Sequence, residues 1–175
     1  MPERIVSVFG TGRAEDGEPV FEIAWELGRI LAKAGFVVAN GGYGGTMLAT
    51  ARGATGAGGT VIGVTCKAFK NSVANECVTR EIVTESLEER LHNLVEMADA
   101  YVVLPGGTGT LLELASVWEL SALLGRKSGP EAFWSDRRAR AFIREKMSAW
   151  DGISPCLPRS TGSLSTRERV ATRRV

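Results

Sequence analysis

Three times before residue 110 this chain runs a short β-type apolar segment directly into a glycine-rich turn and then into a helical pattern. Ile5-Val6-Ser7-Val8-Phe9 stops at Gly10-Thr11-Gly12. Phe36-Val37-Val38-Ala39 runs into Asn40-Gly41-Gly42-Tyr43-Gly44-Gly45-Thr46-Met47, and Tyr101-Val102-Val103-Leu104 stops at Pro105-Gly106-Gly107-Thr108-Gly109-Thr110. Apolar strands separated by helices, each ending in a glycine turn, imply a parallel sheet wrapped by helices. A parallel sheet places its ligands beyond the C-terminal strand ends, so all three turns lie on the ligand-facing edge.

The connecting segments complete the pattern. Pro19 stands at the first position of a helix over Val20 to Ala34, in which Ile23, Ala24, Leu27, Ile30 and Leu31 recur at helical spacing and Gly35 terminates the run. A helix rich in small residues follows Thr46 and extends to about Ala57. Gly58-Gly59 breaks it, and Thr60 to Val64 forms a third strand. Thr65 to Thr79 is polar and irregular, with Lys67, Lys70 and Asn75. Arg80 to Val83 is a candidate short strand. Ser86 with Glu89 forms a capping box for a helix to about Met97, with Leu87, Leu91, Leu94, Val95 and Ala98 on its inner face. A last helix is expected from Gly109 to Leu124, with Leu112, Ala115, Trp118, Leu120 and Leu123 among its apolar positions. The expected fold is α/β, a Rossmann-like parallel sheet flanked by helices in a single domain.

Charge divides the chain. Residues 1–125 hold nine Lys and Arg against fifteen Asp and Glu (net −6), and residues 126–175 hold twelve against five (net +7). Residues 126–150 read as a basic segment, helical if Ser135 caps it. Residues 151–175, with few apolar side chains, read as a disordered tail. The tail lacks interleaved aromatics and any groove-binding motif, so no nucleic-acid partner is expected. Apolar runs fall short of the ~20 residues that span a bilayer, and the start lacks the layout of a signal peptide. No membrane partner is expected, and the expected location is the cytoplasm. Cys66, Cys77 and Cys156 follow neither a disulfide framework nor a zinc pattern, and His92 has no companion ligand, so no metal is expected.

The chemistry concentrates at Pro105 to Glu113. Glycines let backbone N–H groups approach an anion, Thr108 and Thr110 add hydroxyls, and the helix start adds unpaired N–H groups and a positive dipole end. Glu113 lies one turn into that helix. A carboxylate beside an anion site is unfavourable unless it faces a centre that becomes positive during reaction; otherwise it is a first-turn acid that favours the helix dipole. Neither G-x-G-x-x-G nor G-x-x-x-x-G-K-[ST] occurs, which sets aside dinucleotide and P-loop sites. No lysine stands in a recognisable pyridoxal phosphate context, which sets aside a decarboxylase, and no cofactor is expected.

Pro105-Gly106-Gly107-Thr108-Gly109-Thr110-Leu111-Leu112-Glu113 resembles the P-G-G-x-G-T-x-x-E motif of the LOG (Lonely Guy) proteins, formerly described as lysine decarboxylases. Gly41-Gly42 through Met47, the Gly58 to Val64 run, and Arg90 preceding Ala98-Asp99-Ala100 resemble that family in the same order, so the likeness covers residues 4–124. It implies a homodimer that hydrolyses the N-glycosidic bond of nucleoside 5′-monophosphates, of the AMP or cytokinin riboside type, to free base and ribose 5-phosphate. It also implies catalytic roles for Glu113 and Arg90. The substrate and its phosphate would be bound by Gly106, Gly107, Thr108, Gly109 and Thr110, by Gly41, Gly42, Gly44, Gly45 and Met47, and by Gly10 and Thr11. Two plainer readings stand beside it. Arg90 could form a surface ion pair with Glu85, Glu88 or Glu89, and the scaffold could serve as a non-catalytic nucleotide or cofactor carrier. The chain departs from the LOG pattern at Leu91, where many members carry Lys, at Leu87 in place of Met, in the Gly41 to Gly45 turn, and after Arg126.

Overall fold

A computed structural model describes residues 3–70 and 72–123. Five strands, β1 (Ile5–Phe9), β2 (Val37–Asn40), β3 (Val61–Cys66), β4 (Arg80–Thr84) and β5 (Ala100–Val103), form one sheet in the order β4-β3-β2-β1-β5. Every pairing is parallel. Helices α1 (Pro19–Lys33), α2 (Thr46–Gly56) and α3 (Leu87–Glu96) connect β1 to β2, β2 to β3 and β4 to β5, a loop joins β3 to β4, and α4 (Thr108–Leu123) follows β5. The expected α/β architecture is the one found: a parallel sheet flanked by helices, in one Rossmann-like domain. The basic segment at 126–150, the tail at 151–175 and Cys156 lie outside the described residues.

Alternation along the strands builds two cores. Val6, Val8, Val38 and Val61 face α1 and α2. Phe9, Val37, Ala39, Ile62 and Val64 face the other way, toward Leu94, Val95 and Val117 of α3 and α4. Val38, Val61, Val64 and Leu94 are fully buried, and each such side chain contributes roughly 1.5–3 kcal/mol. The chain moves outward from β1 to β4 and then returns through α3 to place β5 on the other side of β1. The sheet therefore changes direction between β1 and β5, and at such a switch point the flanking turns separate and leave a crevice. Asp99 sets the register at the far end of β5: its carboxylate accepts from Ile5 N–H at 2.8 Å and its own N–H donates to Ile5 O at 2.9 Å.

Local details differ from the sequence expectations. The buried stripe of α1 is Phe21, Ala24, Leu27, Gly28 and Leu31, while Ile23 is 36% exposed. The stripe is turned because α1 and α2 meet backbone to backbone, with Gly28 directly against the Thr50 carbonyl and Gly53 against that of Trp25. The capping box of α3 is displaced: Ser86 Oγ accepts from Glu89 N–H, but the Glu89 carboxylate accepts from Glu85 N–H rather than returning to Ser86. Leu87 lies at the exposed start of α3. α4 begins at Thr108, one residue earlier than expected, because Leu111 N–H already bonds to Gly107 O at 3.1 Å. Its Leu112 and Trp118 are about half exposed, and among the residues whose burial is described Val117 is its buried apolar position.

Candidate active site

The crevice at the switch point has a volume of about 980 Å³. Its wall includes Gly10, Thr11 and Arg13 after β1, Gly41, Tyr43 and Met47 after β2, and the whole Pro105 to Thr110 turn after β5. Thr11 knits these turns together. Its N–H donates to Pro105 O at 3.0 Å, and its carbonyl accepts from Thr46 N–H at 2.9 Å and from Thr46 Oγ1 at 3.0 Å. The three glycine turns thus form a single structure.

Within the second turn the glycines do different work. Gly41 lines the crevice, whereas Gly42, Gly44 and Gly45 lie outside its wall. Gly42 N–H is spent on Asn40 Oδ1 at 2.8 Å, and the Gly42 and Tyr43 carbonyls accept from the Asn75 amide at 3.1 and 2.8 Å. Gly45 has φ 64°, and a β-carbon there would strike Thr11 O. These residues shape the turn. The turn after β5 is different in kind: Gly106, Gly107, Thr108, Gly109 and Thr110 all face the cavity at the start of α4, though the Thr110 side chain is itself buried. The first N–H groups of a helix have no partner within the helix.

Arg90 is only 6% exposed, which excludes a surface ion pair with Glu85, Glu88 or Glu89. α3 is held against the sheet by Ser7 Oγ–H donating to Leu94 O at 2.7 Å and by Tyr101 O–H donating to Val95 O at 2.6 Å. One turn earlier on α3, Arg90 enters the crevice. Its Nε–H donates to Val64 O at 2.8 Å, and its guanidinium lies 5.7 Å from the Tyr43 ring centroid and 5.8 Å from that of Phe69. Its Nη1 stands 3.5 Å from Glu113 Oε1. Gly41 makes room for this guanidinium, since a β-carbon on residue 41 would overlap Arg90 Nη2.

Glu113 on α4 is largely buried, its side chain 13% exposed. Its carboxyl is pushed up to about 7, because burial penalises the charged form more than the facing guanidinium favours it. The site thus holds an acid whose two protonation states are both populated near neutral pH. Tyr43 and Phe69 also line the cavity, with ring centroids 5.8 Å apart. The Tyr43 hydroxyl accepts from Cys66 N–H at 2.8 Å, which fixes the ring. Neither aromatic belongs to the motif that marked the site in the sequence, nor does Arg13; the signal for Tyr43 was a large side chain inside a glycine run. His92 is exposed, and no cluster of potential metal ligands occurs among the described residues. No described helix is long and apolar enough to cross a membrane.

Comparison with known proteins agrees with the resemblance to LOG proteins. An uncharacterized protein of Archaeoglobus fulgidus is 34% identical over 110 residues, covering 63% of this chain and 70% of that protein. A Mycobacterium tuberculosis protein named cytokinin riboside 5′-monophosphate phosphoribohydrolase is 37% identical over 101 residues, covering 57% of this chain; the match spans about half of that relative, 54%. The solved structure of the molybdenum cofactor binding protein of Rippkaea orientalis superposes with a TM-score of 0.62 at 26% identity, covering 84% of this chain and 99% of that one. A family model described as the SLOG cluster4 family matches residues 3–140, extending past α4 into the stretch where the LOG pattern could not be followed. On that match the chain belongs to the SLOG cluster4 family.

Proposed function

We propose that this protein hydrolyses the N-glycosidic bond of a nucleoside 5′-monophosphate, of the AMP or cytokinin riboside monophosphate type, releasing free base and ribose 5-phosphate. The observation that carries this reading is the buried Glu113 carboxyl, 3.5 Å from Arg90, one helical turn beyond a glycine and threonine turn that faces the same crevice. The similarity to a protein named for this activity supports it.

In this reading the turn from Gly106 to Thr110 receives the 5′-phosphate on backbone N–H groups and hydroxyls, with Gly10 and Thr11 beside it. Gly41 and Met47 border the sugar, and Gly42, Gly44 and Gly45 hold that border in place. As the C1′–N bond breaks, its electron pair leaves with the base, which takes up a proton, and positive charge develops on the ribose ring. The Glu113 carboxylate stabilises that charge and accepts a proton from the water that adds to C1′. Arg90 keeps a share of Glu113 ionised against the effect of burial. The protein acts as a homodimer in the cytoplasm, needing neither metal nor cofactor.

The test is to incubate purified protein with AMP, an N6-substituted analogue and pyrimidine monophosphates, and to assay free base. Release of no base from any of them sinks the reading. A second reading is a non-catalytic carrier of a nucleotide or cofactor. The cavity lies at the top of the usual size range for small-molecule clefts, and the molybdenum cofactor binding protein of Rippkaea orientalis shares the fold. Tight binding in calorimetry without turnover distinguishes it.

A further inference from the structure

Two cationic side chains line the crevice among the described residues, Arg13 and Arg90. Arg90 is already committed. Its Nε–H is bonded to Val64 O, its Nη1 faces Glu113, its guanidinium is covered by Tyr43 and Phe69, and solvent scarcely reaches it. With Glu113 ionised, the pair sums to no net charge.

Arg13 is placed differently. It follows the β1 turn, is exposed, and takes part in none of the ion pairs between described residues. Its backbone is nonetheless fixed, with N–H donating to Thr11 Oγ1 at 3.2 Å. Thr11 is in turn bonded to Pro105 O. Arg13 therefore belongs to the same knot of main chain as the turn from Pro105 to Thr110, and both line the crevice.

A phosphate monoester carries roughly −1.5 to −2 charge near neutral pH. Backbone amides and threonine hydroxyls supply dipoles but no formal charge. With Arg90 balanced by Glu113, Arg13 is the cation left for the ligand among the described residues that line the crevice. We propose that Arg13 is the charge partner of the substrate phosphate and sets the preference for phosphate monoesters over unphosphorylated nucleosides. This rests on the reading of the crevice as a nucleoside monophosphate site.

The test is calorimetric titration of the Glu113→Gln protein with AMP, ribose 5-phosphate and adenosine, repeated with Arg13→Ala and Arg13→Lys added. A charge-assisted contact of this kind corresponds to a loss of about tenfold to a hundredfold in affinity. Arg13→Ala should weaken AMP and ribose 5-phosphate by that factor and leave adenosine within about twofold. Arg13→Lys should recover part of the loss, because an ammonium keeps the charge but not the two-pronged geometry. AMP affinity should also become less sensitive to salt in Arg13→Ala. Equal weakening of AMP and adenosine, no weakening of either, or no phosphate monoester binding by the parent protein would overturn the assignment. Selective loss of AMP binding by Arg13→Ala in a protein that releases no base supports the role of Arg13 and counts against hydrolysis alone.

Discussion

Arg90 and Glu113 meet across the crevice from two helices that share the same face of the sheet, Nη1 to Oε1 at 3.5 Å, with side chains only 8% and 13% exposed. The separation is longer than a direct hydrogen bond, so the pair attracts without locking. In this setting burial prevails over attraction, and the carboxyl sits at about 7.

Glu113→Gln removes the proton acceptor and keeps the shape. Base release from AMP should fall about a hundredfold to ten-thousandfold, the usual contribution of a positioned general base, while AMP binding changes little. In the parent protein the rate should rise with pH and level off above about 7, as the carboxylate form fills. A rate profile from pH 5 to 9 checks both statements.

Stability should carry the same signature with the opposite slope. The carboxyl rises from an ordinary 4.5 to about 7 on folding, so the folded state holds the proton more tightly. This contribution is fully present below 4.5 and is lost as pH rises through about 7. The loss is on the order of 3 kcal/mol. Urea unfolding at pH 5 and pH 8 should show it in the parent, and Glu113→Gln should abolish this part of the difference.

Gly41→Ala places a methyl group where Arg90 Nη2 lies and 2.7 Å from Met47 Sδ. Overpacking of this kind costs about 1–3 kcal/mol, and displacing the guanidinium should lower the rate as well. Adding Arg90→Ala should relieve part of the destabilisation, so the two changes will be less than additive in denaturant titrations.

Tyr43→Phe keeps the ring beside Arg90 and removes the acceptor of Cys66 N–H, a bond of 2.8 Å. Leaving that amide unpaired should cost about 1–3 kcal/mol in unfolding free energy. The pH dependence of base release should stay where it was, which separates a structural loss from an effect on Glu113.

The order of β1, β2, β3 and β5 was legible because each is a largely apolar run, three of them ending at a glycine or proline turn, and parallel strands buried on both faces need little more, whereas the edge strand β4 is polar and mostly exposed and could only be a candidate. Glu113 and Arg90 were legible through a motif, and the fold brings them together from positions 23 residues apart. The inner face of α4 was not, because its apolar residues surround the helix, so spacing cannot single out Val117 over Leu112 or Trp118. Phe69 and Arg13 were missed for another reason. Each sits in irregular chain with no period to follow, and only the convergence of distant turns makes them neighbours of the site.

Because one threonine's main chain bridges all three turns, the floor of the crevice arrives at any encounter already assembled. The ordering cost of those loops is settled during folding, so a ligand seated there gives up little of its binding energy to arrange them.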